Sequence, residues 1–161
     1  MSSDEFFMRL ALEEAANALP YGDIPIGAVA VFNGEVIGRG HNRREADHDP
    51  TAHAEMIALR EAAQRVGSWR LDGVTLYCTL EPCCMCAGAM VLARLPRLVY
   101  ATIDLKAGCA GSIVDILRHP RLNHAVDVDV GLLADEAATL LSNFFKTLRS
   151  ASTEKHTSDS N

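Results

Sequence analysis

Aromatic residues are scarce in this chain of 161 residues, at 6% with a single tryptophan, and long apolar runs are missing altogether. A helix that crosses a bilayer takes about 18–20 consecutive apolar residues, so no such span is expected. The opening "MSSDEFFMRL" lacks both a basic stretch and an uninterrupted apolar stretch, so it does not read as a signal peptide. Without one, the expected compartment is the cytoplasm, where disulfides are rare and clustered cysteines more often bind metal or react. The five cysteines are an odd number, which also speaks against a full disulfide framework. Positive charge is short as well, with 15 Lys and Arg against 21 Asp and Glu. A net charge of −6 disfavours a general polyanion-binding surface. The charge is uneven, however: residues 91–121 carry Arg94, Arg97, Lys106, Arg118 and Arg121 against Asp104 and Asp115. That local excess permits a nucleic-acid partner without proposing one.

No internal repeat or linker divides the chain, and its length suits one domain that buries roughly 70% of its unfolded surface. Ser2 and Glu5 have capping-box spacing ahead of Phe7, Leu10, Ala11, Ala15 and Ala18, which predicts a helix over 3–19 that Pro20 and Gly22 stop. "IGAVAVFNGEVIGRGHN" predicts a hairpin turning at Asn33-Gly34. Helices are expected at 53–65, from Pro82 to about 93, at 113–118 and at 133–149, with strands at 74–79, 98–102 and 125–130. The last twelve residues, from Ser150 to Asn161, are polar and read as a disordered tail. Helices alternating with strands after a hairpin predict an α/β three-layer domain with a mixed sheet, spanning residues 1–149.

The chemistry concentrates in "EPCCMCAGAM", where three cysteines occupy four positions. Cys83 and Cys86 have the C-x₂-C spacing that lets two thiolates converge on one ion. Cys84 lies about 100° further round the helix and should point away, as a small buried apolar side chain. Cys78 in a strand and Cys109 in a loop are read as structural. "TAHAE" adds His53 and Glu55 at a second helix start. Two helix N-termini facing one point would lower the thiol pKa and favour metal binding. His53, Cys83 and Cys86 form an N,S,S set that suits zinc. Three ligands leave a position for water, as catalytic zinc sites do, whereas His48 or Cys109 as a fourth would make a closed structural site. Glu55 stands about 200° from His53 on an ideal helix, so both can flank a metal only if it lies off the helix end. There Glu55 is free to move a proton from water to a substrate nitrogen.

H-A-E followed by P-C-x-x-C is the signature of the zinc nucleoside deaminases. "IPIGAVAV", "GHN", "DPTAHAE", "TLEPCCMCAGAM", "DLKAGCAGS" and "LLADEAATLLSNFF" together resemble the bacterial tRNA-specific adenosine deaminases, over residues 24–149. The resemblance implies hydrolytic conversion of the wobble adenosine of a tRNA anticodon to inosine. It also implies a cytidine-deaminase-like fold with a five-stranded mixed sheet, a homodimer, and one zinc ion per chain. By the same resemblance His53, Cys83 and Cys86 bind zinc and Glu55 shuttles protons. Asn42 would bond the flipped adenine. Asp104 and Lys106 would meet anticodon nucleotides, and Phe144, Phe145 and Arg149 would lie near the RNA. Two other readings share these motifs: a deaminase of free bases or nucleosides, and a zinc-stabilised binding module without catalysis.

Overall fold

The computed structural model describes residues 1–158. Helix α1 (Ser3–Ala16) begins where expected, with Ser2 Oγ accepting the Glu5 N–H at 3.1 Å. It ends three residues early, and Leu19–Tyr21 form a 3₁₀ turn closed by Gly22. Strands β1 (Gly27–Phe32) and β2 (Glu35–His41) make the hairpin. Its Asn33 and Gly34 both take positive φ, 49° and 77°, as a two-residue primed turn requires. There follow α2 (Ala54–Val66), β3 (Val74–Leu80), α3 (Cys84–Leu92), β4 (Arg97–Thr102), β5 (Asp127–Val130) and α4 (Ala134–Ser158).

The strands form one mixed sheet in the order β2-β1-β3-β4-β5, antiparallel from β2 to β3 and parallel from β3 to β5. Period-two alternation sorts the side chains into two cores. Ala28, Ala30, Leu76, Cys78, Leu98 and Tyr100 face α2 and α3, packing on Ala58, Leu59, Ala87 and Met90. Val29, Val31, Tyr77, Val99 and Ala101 face the other way, onto Phe7, Met8 and Ala11 of α1 and Ala137 of α4. The result is the expected three-layer sandwich. Small residues bring α2 close to the sheet: a Cβ on Gly40 would collide with the Ala54 carbonyl oxygen and the Ala58 amide. Because Ala54 lies between His53 and Glu55, this close approach also sets the height of the functional end of α2.

A polar tie fixes α1 to the sheet. Asp4 accepts the Tyr77 hydroxyl at 2.6 Å and two bonds from Arg97 at 2.8 and 2.9 Å, and Arg97 also pairs with Asp129. The Arg97 and Tyr77 bonds hold the Asp4 carboxyl down to about 2. A lowered folded pKa means stability that is full above the ordinary Asp value of about 3.9 and lost as pH falls through the folded one. Asp4→Asn is therefore expected to lower the urea midpoint at pH 7. It should also flatten the fall in stability between pH 4 and 2, in denaturation curves collected across that range. The pair is a third exposed, so the effect is modest.

Two expectations fail. The helix at 113–118 does not form, because its amides are spent on loop bonds: Ile113 N–H to Gly108 O at 2.9 Å and Ile116 N–H to Cys109 O at 3.0 Å. Ala110 and Asp115 form an isolated bridge instead, and Gly111, at φ 129°, lies in the turn between them. The second concerns the tail, where α4 runs past 149 to Ser158. The Ser150, Ser152, Thr153 and Thr157 hydroxyls there bond carbonyls four residues back, satisfying polar groups within an exposed helix. The rest of the expected tail, 159–161, lies outside the described residues. Among the described residues, no helix is long and apolar enough to cross a membrane.

Candidate metal centre and active site

The parallel half of the sheet ends at Leu80 and Thr102, and ligand sites of such sheets form outside the carboxyl ends of the strands. Here the N-termini of α2 and α3 meet that edge. His53 and Cys83 are the N-cap residues of the two helices, both with extended backbone and neither with a side-chain capping bond. Their side chains thus point off the helix ends, where the helix dipoles favour anionic sulfur. Cys86 comes from the first turn of α3 and is fully buried.

His53 Nδ1 stands 3.5 Å from Cys83 Sγ and 3.6 Å from Cys86 Sγ. With Zn–S of about 2.3 Å and Zn–N of about 2.0–2.1 Å, tetrahedral angles separate such N and S atoms by about 3.6 Å. The donor set fits a zinc ion. Among the described residues the group holds three donors, and neither His48 nor Cys109 joins it. The hydrogen bond between the two sulfurs pushes the Cys86 thiol up and draws Cys83 down to about 4, with His53 further stabilising the Cys83 thiolate. His53 is raised in turn, chiefly by its bond to Cys83.

Glu55 is 4% exposed, and burial raises its carboxyl pKa against the opposing pull of its own backbone N–H and of Cys86. Cys78, fully buried on β3, lies against it with its own thiol pushed up by burial. A buried carboxyl beside a three-donor metal cluster has the placement and the proton affinity of a general acid/base.

A cleft of about 570 Å³ opens over His53, Glu55 and Cys83. Asn42, Asp104, Lys106 and Phe145 line it, as do Ile24, Ile26, Leu80, Ile103 and Leu105. Phe144 stacks edge-on against Phe145 but does not line the cleft, and neither does Arg149. Asn42 is buried, its Nδ2 donating to Ile24 O at 3.3 Å and its Oδ1 accepting the Arg44 N–H at 3.1 Å. One N–H and one lone pair of the amide remain for a ligand. The Asp104 carboxylate turns back on its own loop to accept the Lys106 and Ala107 N–H groups. Cys84 points away from the cluster as expected, but it is exposed rather than buried, since α3 presents that side outward.

Much of the basic excess is internally paired: Arg97 with Asp4 and Asp129, Arg118 with Asp115. Lys106 has no acidic partner among the described residues and borders the cleft. Ile24 and Leu105 fall within the resembling stretches "IPIGAVAV" and "DLKAGCAGS" and Ile103 lies outside them, but as apolar residues none of the three carries the mark of a cleft wall. Arg44, also at the cleft, was equally silent.

Known proteins bear on this geometry. The family model for the cytidine and deoxycytidylate deaminase zinc-binding region matches residues 1–102. The chain is 48% identical over 149 residues to the tRNA-specific adenosine deaminase of Bacillus subtilis (strain 168), covering 92% of each. It is 46% identical over 145 residues to that of Aquifex aeolicus (strain VF5), covering 90% of this chain and 95% of the relative. A solved structure from work on tRNA:A34 deaminases that edit A to I at the wobble position superposes with a TM-score of 0.81 at 46% identity, over 84% of this chain and 99% of that one. The guanine deaminase of Nitrosomonas europaea superposes with a TM-score of 0.72 at 27% identity, over 87% and 83% of the two chains. The chain belongs to the zinc-binding cytidine and deoxycytidylate deaminase family and, within it, to the tRNA-specific adenosine deaminases.

Proposed function

We propose that this protein hydrolyses the wobble adenosine of a tRNA anticodon to inosine, releasing ammonia. The observation that carries the reading is the three-donor cluster at two helix N-termini, with a buried carboxyl beside it and an open cleft above. His53, Cys83 and Cys86 would hold one zinc ion per chain. Bound there, zinc supplies a water acidic enough to act as nucleophile near neutral pH.

The chain's own groups do the rest. Glu55 accepts the proton of the attacking water and delivers it to the adenine amino nitrogen, which leaves as ammonia as C6 gains its oxygen. Asn42 uses its remaining donor and acceptor on the base edge. Ile24, Ile26 and Leu80 exclude bulk water around the extruded base, and Phe145, 39% exposed at the rim, offers a face for a neighbouring base. Lys106 meets a phosphate. Asp104 serves the RNA by shaping the loop, and Phe144 and Arg149 act from outside the cleft, Phe144 by bracing Phe145.

The working unit is the deaminase domain of residues 1–149, in the cytoplasm, as a homodimer. Dimerisation would have to cover apolar side chains that a single chain leaves exposed, among them Leu92, Ile113 and Val114. Incubation with a transcript carrying adenosine at the wobble position tests the reaction, because inosine is copied as guanosine by reverse transcription. Conversion confined to that position is the expected result, and an unchanged transcript with zinc-loaded protein contradicts it. Lys106→Ala is expected to weaken stem-loop binding and to reduce the slope of log K against log salt by about 0.7, the value for one single-strand phosphate contact. Anisotropy titrations at several salt concentrations measure it.

A further inference from the structure

We propose that Glu81 is a positioning residue for substrate, fastening the loop from Ile103 to Ser112 to the turn that carries Cys83 and Cys86. This rests on the deaminase reading above. Glu81 is only 2% exposed, and a carboxylate so buried is tolerated only when its oxygens are fully bonded. They are. Oε1 accepts the Asp104 N–H at 3.1 Å and the Ser112 hydroxyl at 2.5 Å, while Oε2 accepts the N–H groups of Ala110 and Ser112, both at 3.1 Å. All the donors come from one loop, and they hold both of its ends.

The surrounding contacts point the same way. Gly108 packs directly on the carboxylate, where any side chain would collide with it. The Cys109 N–H bonds the Pro82 carbonyl at 2.8 Å, tying the loop to the residue between Glu81 and Cys83. The first half of this loop, Ile103 to Ala107, forms one wall of the cleft, and it has no helix or strand of its own. One carboxylate therefore sets the distance between the wall that meets substrate and the turn that holds the metal. Glu81 borders the cleft beside Leu80 and Cys83, but both of its oxygens are taken up by the loop and it is not one of the three donors, so its influence is on placement.

Glu81→Gln separates the roles. A glutamine oxygen can keep the Ala110 and Ser112 amides, and its NH₂ can donate to the Ser112 hydroxyl, but the Asp104 N–H then faces a donor and is released. The expected result on an anticodon stem-loop is a KM at least about tenfold higher, the scale of losing a bond to a charged group, with kcat changed less than about threefold. Zinc content should stay as in the wild type, and amide exchange should quicken in 103–112 but not in β3 or β4. Ser112→Ala, which removes only the hydroxyl, should show the same KM-selective change more weakly, and keeps the test open if Glu81→Gln folds poorly. Loss of zinc together with kcat, or faster loop exchange with an unaltered KM, would overturn the proposal. A zinc-loaded wild type inactive on the stem-loop would overturn the wobble reading instead, while exchange and zinc content still report whether Glu81 holds the loop.

Discussion

Glu55→Gln is expected to retain zinc as the wild type does and to lose turnover by about 10²–10⁴-fold, the range supplied by a positioned general acid/base. The substitution keeps shape and hydrogen-bonding capacity at a site that is 4% exposed, so packing against Cys78 and Cys86 survives. What disappears is a group that can take a proton from water and give it back to a nitrogen. Metal analysis beside single-turnover kinetics checks both halves. Zinc loss would mean that Glu55 is part of the metal site, and full turnover would mean that another group moves the proton. Substrate binding should persist, so the variant is also a background in which to measure RNA affinity.

The second large effect separates the three neighbouring cysteines. Cys86→Ala is expected to weaken zinc binding by more than about 100-fold and to abolish turnover, because two donors remain of the His53, Cys83, Cys86 set. The thermal midpoint should rise with added zinc in the wild type and stay flat in this variant, since only a state that binds the ion is stabilised by it. Cys84→Ala should match the wild type in zinc content and turnover, as its thiol is exposed and stands outside the three-donor group. Competition with a chromogenic chelator measures the affinities. Equal behaviour of the two variants would break the assignment of ligand and bystander.

Legibility followed how local the physics is. The hairpin was readable because Asn33-Gly34 permits little else, and the three layers because helices alternate with strands that are buried on both faces. The metal group was readable because Cys83 and Cys86 sit three apart and His53 opens a helix. Its geometry was not, since the 3.5–3.6 Å separations depend on Gly40 letting α2 settle onto the sheet. The cleft wall was the least legible part. Residues 103–112 have no period, and their conformation is imposed by Glu81, whose partners lie 23 to 31 positions further along. The mistaken helix at 113–118 fails at shorter range, because the Ile113 and Ile116 amides bond carbonyls five and seven residues back instead of four. That Phe145 and not Phe144 borders the cleft follows from the rotation of α4, whose Ala137 is buried with α1 and sheet residues.

The most direct test offers zinc-loaded protein three substrates in parallel and measures ammonia: an anticodon stem-loop with adenosine at the wobble position, free guanine, and free cytosine. All three reactions could use the same metal group and Glu55, so only the cleft discriminates among them. Ammonia from the stem-loop alone, with inosine at the wobble position in equal amount, is the expected result. Ammonia from guanine or cytosine with an untouched stem-loop would contradict it.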